Sequence, residues 1–203
     1  MNKVKNRISI CHLLLGMVEK HHHHTTLTYG ELVKIFGEQA FGLLIILFAL
    51  PSALPVSIIP GFSFIFSLPI IFIAFQIIIA RQALWLPSRL ANRTLDFKKF
   101  AEVVNKTVPY LKRIEQLLKP RWLFFTLPIM NRLHGLTMLA LSLLLLLPIP
   151  FSNFIFASLI ILFGLGIAEK DGVILAFSYL AVLLYGLFLV TMAGGIIHYI
   201  ISG

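Results

Sequence analysis

Residues 40–80 decide the fold: AFGLLIILFALPSALPVSIIPGFSFIFSLPIIFIAFQIIIA, a stretch without one charged side chain. An apolar run of this length needs lipid as its solvent, since about 20 apolar residues already cross a bilayer core about 30 Å thick. Pro51, Pro55 and Pro60 interrupt the run near its middle. Proline removes a backbone donor and crowds the preceding helical turn. The stretch therefore predicts two helical arms joined by a break.

The arms of this first hairpin are short. Residues 41–54 would form a helix about 21 Å long and residues 62–80 one about 28 Å long. The first arm is too short to cross the bilayer upright, so the pattern favours either a re-entrant hairpin or two tilted short spans. Pro69 lies inside the second arm and predicts a kink there.

Composition and charge point to the same environment. The chain is 59% hydrophobic and 12% charged, against roughly 45–50% and 25% in soluble domains. Residues 136–168 and 172–203 also lack charge, whereas lysine and arginine concentrate in 1–39 and 81–133. The charged residues behind the net charge of +9 are therefore segregated into the segments that we expect outside the membrane. Because no groove-like mixture of basic and aromatic residues occurs, we expect no nucleic-acid partner.

These features divide the chain into five segments and predict an all-α membrane protein. Basic segments stay on the cytoplasmic side of a bacterial inner membrane, so each hairpin should enter and return on that side. The C-terminal segment should span the membrane once, with a bend at Gly194-Gly195. The segments are cytoplasmic or interfacial helices (1–39), the first hairpin (40–80), a basic amphipathic segment (81–133), the second hairpin (134–168) and a C-terminal transmembrane segment (169–203).

Local signals refine the interfacial parts. Thr28 and Glu31 have the spacing of a capping box, which predicts a helix over 29–38. Residues 97–119 alternate apolar and basic positions at helical spacing, as in a helix lying on an anionic leaflet. Trp85 and Pro87 indicate an interfacial anchor.

The two hairpins share a spacing. Gly42 and Gly135 are each followed, thirteen residues later, by the proline of the break, Pro55 and Pro148. This predicts an internal repeat, and two unrelated hairpins are the alternative. Repeats with discontinuous helices are typical of transporters, whose sites lie near the breaks.

Polar side chains at the breaks are the first candidate site. Ser52 and Ser57 lie in the first break, and Ser152 and Asn153 lie in the second. If the two tips meet, these groups would line a polar cavity within the membrane. Capping of the broken helices is the equally open structural alternative.

The open ends of the hairpins carry the other candidates. Gln76 is a polar group deep in an apolar arm and must find a partner, as part of a pathway or as interhelical glue. Arg81 is placed to reach lipid phosphates, or to pair with Glu38 across the hairpin base. Asp171 suits the positive end of the C-terminal helix, with a role in ion coupling as the minority interpretation.

Catalytic patterns are missing from the sequence. It holds no H-E-x-x-H, no G-x-S-x-G and no phosphate-cradling glycine loop. Residues 21–24 are four histidines, but neighbours on a helix point in different directions and form no closed metal site. We therefore expect no enzyme activity, cofactor or metal. Without an ionisable group in the first hairpin, a proton pump is disfavoured.

Spaced motifs extend along most of the chain beyond its first 25 residues. They are LTYGEL at 27–32, and then Gly42, Ala49-Leu50-Pro51, Pro55, Pro60-Gly61, Leu68-Pro69, Gln76, Arg81, Trp85-Leu86-Pro87, Arg93, Pro148, Pro150 and Asp171-Gly172. This pattern resembles the ExoD family, bacterial membrane proteins of exopolysaccharide synthesis. In that family a glycine often precedes the arginine. Here Ala80 stands in its place, which weakens the expectation of a close backbone approach.

The resemblance implies an inner-membrane protein linked to exopolysaccharide production, without an established reaction. Together with the repeat it suggests a small transport or permeation protein whose pathway forms where the breaks meet. The alternative is an accessory or scaffold protein that organises a polysaccharide synthase through residues 97–119. A chain of 203 residues makes a thin wall for a pathway, so a homodimer is expected. The bilayer and polysaccharide synthesis machinery are the other expected partners.

Overall fold

The computed structural model of the chain describes residues 26–54, 62–81, 83–96, 121–147 and 152–202, and the short pieces 15–16, 101–102, 104–106, 108–109 and 112. Two 3-10 turns cover Leu50–Ala53 and Leu123–Thr126, and two short strands are β1 (Thr26–Thr28) and β2 (Thr94–Asp96). The helices are α1 (Tyr29–Phe36), α2 (Gln39–Ala49), α3 (Phe62–Ile78), α4 (Ser88–Ala91), α5 (Pro128–Leu146), α6 (Ser152–Glu169) and α7 (Gly172–Ser202).

The fold is helical, as predicted, and the two three-residue strands add a short ribbon to it. They pair antiparallel, with Leu27 opposite Leu95. The Tyr29 N–H extends the pairing by donating to the Arg93 carbonyl at 3.2 Å. The ribbon ties the start of α1 to the chain that leaves the first hairpin. Three residues are too few to show strand alternation, so the sequence carried no signal for it.

The first turn of α1 confirms the predicted capping box. The Thr28 N–H donates to the Glu31 carboxylate at 2.9 Å, and the Glu31 N–H donates to the Thr28 hydroxyl at 3.3 Å. The helix ends at Gly37, whose φ of +54° is a conformation that glycine adopts without steric cost. The chain then bends by 119° into α2.

The first hairpin has the predicted arms. After α2 the backbone tightens into the 3-10 turn Leu50–Ala53, with Pro51 in its first positions. The return helix α3 continues through Pro69, so this proline does not break the arm. Pro55 and Ser57 lie outside the described residues.

The second hairpin is longer than the sequence analysis allowed. Helix α5 begins at Pro128, well before the expected start at Gly135, because proline suits the first helical position. Helix α6 begins at Ser152. Pro148 lies outside the described residues.

Among the described residues, three helices are long and apolar enough to cross a membrane. They are Ile129–Leu146, Ser152–Glu169 and Gly172–Gly195, and a fourth span results if the bent pair of α1 and α2 is counted as one. The chain is therefore a helical membrane protein. Helix α7 runs unbroken through Gly194 and Gly195, so the expected bend does not interrupt it.

The two hairpins exchange partners instead of standing side by side. Helix α2 packs mainly on α6, and α3 packs mainly on α5. Glycines mark both contacts: a Cβ at Gly42 would overlap the backbone of Gly164 and Ala168, and a Cβ at Gly135 would lie 2.9 Å from the Ile78 nitrogen. Close helix approach through small residues is a common device in membranes.

Both return helices end in the same hydrogen-bonded turn. The Ala80 N–H donates to Ile77 at 2.9 Å and the Arg81 N–H to Gln76 at 3.2 Å. Ninety positions later, the N–H groups of Lys170 and Asp171 bond the carbonyls of Ile167 and Gly166 at 3.4 and 3.0 Å. This is the Schellman pattern, whose penultimate residue is left-handed. Ala80 and Lys170 accordingly have φ of +56° and +53°.

Candidate functional site

Polar groups gather at the two ends of the crossed hairpins, with an apolar core between them. At the open end of the hairpins lies a pocket lined by Glu38, Arg81, Asn131 and Lys170 among others, which we call the basal pocket. At the other end, near the breaks, lie the polar residues that we call the tip cluster: Ser52, Ser63, Ser152, Asn153 and Tyr185. The core between them includes Ile45, Ile70, Met138 and Ile160, all fully buried. Any route along the bundle axis is therefore closed in this conformation.

The basal pocket is a cavity of about 250 Å³. The start of α2, the ends of α3 and α6, and the starts of α5 and α7 meet around it. A pair between Glu38 and Arg81 was one of the contacts predicted for Arg81. The structure instead pairs the Glu38 carboxylate with Lys170 Nζ at 2.7 Å. The lining residues are Glu38, Phe41, Ile77, Ala80, Arg81, Asn131, Gly166, Ile167, Lys170 and Leu175.

Two polar side chains of the pocket have no partner in the described part of the chain. Within the described residues, neither the Arg81 guanidinium nor the Asn131 amide makes a side-chain hydrogen bond or an ion pair. The left-handed Ala80 turns the chain so that Arg81 reaches the pocket. The backbone conformation at Ala80 also explains why a glycine suits this position: it relieves a positive φ.

Both hairpins contribute matching residues to the pocket. Ile77 and Ile167 line it from α3 and α6, 90 positions apart, and Glu38 and Asn131 line it near the starts of α2 and α5, 93 positions apart. The offset between the hairpins is therefore three positions smaller for the second arms than for the first arms. The breaks account for this, because residues 147–151 are three fewer than residues 54–61.

The tip cluster brings together the break residues that the structure describes. Asn153 Nδ2 donates to Ser63 Oγ at 3.2 Å, and Tyr185 OH donates to Ser152 Oγ at 2.8 Å. Ser52 Oγ and Asn153 Oδ1 are buried and have no hydrogen-bond partner among the residues that the structure describes. Unsatisfied polar atoms in a membrane interior cost free energy, so the tip retains unused hydrogen-bonding capacity.

Gln76 is held by the chain that follows its own helix. The Trp85 N–H donates to Gln76 Oε1 at 2.7 Å, and Gln76 Nε2 donates to the Trp85 carbonyl at 3.3 Å. Gln76 therefore does not enter the pocket. The Trp85 ring is half exposed and lies 5.9 Å from the Phe72 ring, and Pro87 directly precedes α4. Arg93 is exposed beside the ribbon.

Asp171 caps the last helix. Its carboxylate accepts the Val173 N–H at 2.9 Å, at the positive end of α7. The Gly172 N–H donates to the Arg121 carbonyl at 2.8 Å. This bond ties residue 121 to the junction of α6 and α7.

Sequence reasoning missed a buried histidine. His134 has no exposed surface and lies one residue before the point where the arm was expected to begin. Its Nδ1 is 2.7 Å from Tyr179 OH, and its Nε2 is 2.8 Å from the Phe125 carbonyl oxygen. A histidine next to an apolar arm was the available signal, but its partners lie 45 and 9 positions away.

The amphipathic segment 97–119 is described only in part. Residues 101–102, 104–106, 108–109 and 112 are helical. Val104 and Val108 are buried, whereas Lys106 and Lys112 are exposed. In these pieces the apolar and basic positions therefore face different surroundings, as the periodicity predicted. The four histidines at 21–24 lie outside the described residues.

The fold and these polar ends define a small polytopic helical membrane protein built from two crossed hairpins. The chain belongs to the ExoD family: the family model described as "Exopolysaccharide synthesis, ExoD" matches residues 11–191. Family membership associates it with exopolysaccharide synthesis.

Two relatives show how far the similarity extends. The chain is 36% identical to Protein ExoD of Rhizobium meliloti over 175 residues, which is 84% of this chain and 72% of the relative. It is 32% identical to an uncharacterized protein of Synechocystis over 171 residues, 82% of this chain and 79% of the relative. No solved structure gives a significant match.

Proposed function

We propose that the chain is a small, non-enzymatic transport or permeation protein of the bacterial inner membrane, acting in exopolysaccharide production. The observation that supports this best is the placement of polar groups at both ends of an axis between two crossed, matching hairpins. Transporters commonly place sites where discontinuous helices from two repeats meet.

Duplication of one hairpin is the first step of the proposal. With the offset of 90, Phe64-Ile65-Phe66 aligns with Phe154-Ile155-Phe156. The two Schellman turns align at the same offset. The exchange of helix partners, α2 with α6 and α3 with α5, is the arrangement that a two-fold axis between the repeats produces.

The tip cluster is placed within the bilayer in this proposal, with the hairpin arms either re-entrant or tilted. Helix α7 starts at the basal end, and Tyr185 lies thirteen residues along it, about 20 Å by helical rise. A bilayer core is about 30 Å thick. With the basal end at one surface, the tip cluster then lies inside the bilayer, where its unpaired groups would serve a passing polar species. Helix α7 itself continues to Ser202.

Topology follows from charge. We propose that the basal end faces the cytoplasm, because the basic segments 1–39 and 81–133 flank it. In a Cys11→Ser background, single cysteines at Lys106 and Lys170 should both react with an impermeant thiol reagent from the cytoplasmic side only. Labelling of the two positions from opposite sides would contradict the proposal. The homodimer remains part of the proposal, and cross-linking in intact membranes would test it.

Liposome flux is the direct test of transport. Purified protein would be reconstituted and assayed with inorganic ions, a fluorescent phospholipid and a short polyprenyl-linked sugar. Cysteines at Ser63 and Asn153, joined by a short bifunctional reagent with a cleavable disulfide, should block flux until reductant is added. The single Ser63→Cys variant is the control. Lack of flux in every class from folded protein, or full flux in verified cross-linked protein, would exclude the idea.

A scaffold role is the second candidate. Its support is the basic surface of the 97–119 segment, where Lys106 and Lys112 are exposed opposite buried valines. Deleting the segment should then abolish polysaccharide production while leaving flux unchanged. If flux and production fall together, transport is favoured.

A further inference from the structure

The basal pocket has the chemistry of a site for an anion attached to an apolar chain. Arg81 and Asn131 present five guanidinium and two amide N–H donors, and neither side chain has a partner within the described residues. Phe41, Ile77 and Ile167 form an apolar wall beside them. The donors and the wall belong to one cavity, so a ligand would use both.

The net charge of the basal pocket favours a negatively charged ligand. Three charged residues line the pocket: Arg81 and Lys170 contribute +2 and Glu38 contributes −1, leaving +1. Lys170 is neutralised by Glu38, whose side chain is 57% exposed. An ion pair this exposed is weak, so a stronger anion can take the carboxylate's place on Lys170.

The volume of the cavity and the geometry of its donors restrict the class of ligand further. A cavity of about 250 Å³ corresponds to roughly eight water molecules, which suits a phosphate group and the first atoms of its chain, but not an oligosaccharide. A guanidinium fork matches two phosphate oxygens at once. The remaining oxygens can accept from the Asn131 amide and from Lys170.

We propose that the basal pocket binds the phosphate group of an amphiphile, with its apolar chain along the wall of Phe41, Ile77 and Ile167. Arg81 is the main phosphate contact, and Glu38 is an internal competitor that releases Lys170 when the ligand arrives. The inference deepens the proposed function by naming the class of transported species, and binding is measured without any flux.

The test is equilibrium binding to the full chain in an uncharged maltoside detergent. Dihexanoyl phosphatidic acid would be titrated by calorimetry, alongside inorganic phosphate and dihexanoyl phosphatidylcholine, whose phosphate is masked by choline. We expect phosphatidic acid to bind. Inorganic phosphate binding tenfold or more weakly would support an amphiphile as the ligand. Equal binding of inorganic phosphate would show that the apolar wall contributes nothing and would overturn the amphiphile, and equal binding of phosphatidylcholine would overturn the phosphate site.

Three variants separate the site from general charge. Arg81→Gln should weaken binding by roughly tenfold or more, because hydrogen bonds to charged groups are the strong ones. Glu38→Gln should strengthen binding, by up to about fivefold. Arg132→Gln is the matched control, since Arg132 neighbours Asn131 on α5 but does not line the cavity.

The opposite changes in affinity expected for Arg81→Gln and Glu38→Gln distinguish loss of a binding contact from loss of fold. Loss of fold would weaken binding in every variant and cannot produce a gain at Glu38. Wild-type affinity in Arg81→Gln, or an equal loss in Arg132→Gln, would overturn the proposal. Binding without flux would contradict transport and leave the phosphate site standing.

Discussion

Asn153 Nδ2 donates a hydrogen bond to Ser63 Oγ at 3.2 Å, and each residue is the second of its return helix. Two side chains at the same position of two hairpins thus contact each other directly. The proposed repeat, with a two-fold axis between its copies, would produce such a contact. At the opposite end, Ile77 and Ile167 line the same pocket. The proposed axis would then run from the tip cluster to the basal pocket, along the line proposed for the pathway.

Substitution of Ser52 tests whether its hydroxyl has a bound hydrogen-bond partner in the tip cluster. Its hydroxyl is fully buried and has no partner within the described part of the chain, so Ser52→Ala should leave thermal stability in detergent unchanged or slightly raised, since it removes an unsatisfied polar group. Ser142→Ala is the control: it is equally buried but donates to Leu139 at 2.9 Å. A loss of more than about 1 kcal/mol for Ser52→Ala would mean that its hydroxyl has a bound partner.

Gly42 tests the crossed packing of the hairpins. A Cβ there would overlap the backbone of α6, so Gly42→Ala should cost about 1–3 kcal/mol. Nothing lies within 4 Å of a Cβ at Gly186 on α7. Gly186→Ala should therefore gain up to about 1 kcal/mol from helix propensity. Thermal unfolding by circular dichroism measures both, and equal responses would contradict the contact between α2 and α6.

Ala80 tests the helix-end turn. Its φ of +56° is unfavourable for a residue with a Cβ, by roughly 1–2 kcal/mol. Ala80→Gly should therefore raise stability by about 1 kcal/mol, because glycine is the usual residue at this position of the Schellman turn. Ala140→Gly, on an exposed site within α5, should cost about 0.5–1 kcal/mol. Destabilisation by both changes would show that Ala80 is not left-handed.

Composition, hydropathy and local motifs predicted much of the fold. Charge segregation identified a membrane protein, and the T-x-x-E spacing located the first turn of α1. The prolines predicted an interrupted first hairpin, but α2 gives way to the 3-10 turn Leu50–Ala53 inside the arm expected over 41–54. Each of these features is a property of a short window of sequence. Local physics determines it, so a single sequence can show it.

Long-range pairing could not be predicted. Glu38 and Lys170 are 132 positions apart, and no periodicity indicates which of several basic residues reaches a given carboxylate. The packing of α2 on α6 and of α3 on α5 could not be predicted either. Helices α2 and α3 are apolar on all sides, so their sequence pattern indicates no preferred packing face. The start of α5 was misplaced because Asn131 and Arg132 made its first turns look like part of the basic segment.

His134 and Tyr179 give the sharpest prediction about a single hydrogen bond. The Phe125 carbonyl can only accept, so His134 Nε2 must carry a proton toward it at 2.8 Å. In the neutral ring Nδ1 is then the acceptor for Tyr179 OH at 2.7 Å. Nitrogen-15 NMR of the histidine-labelled protein should show the Nε2–H tautomer. Tyr179→Phe should cost about 1 kcal/mol and shift the Nδ1 resonance, whereas the exposed Tyr29→Phe should do neither. An Nδ1–H tautomer would contradict this arrangement: His134 would then donate to Tyr179 OH, and the bond to the Phe125 carbonyl would be lost because the carbonyl would face a bare nitrogen.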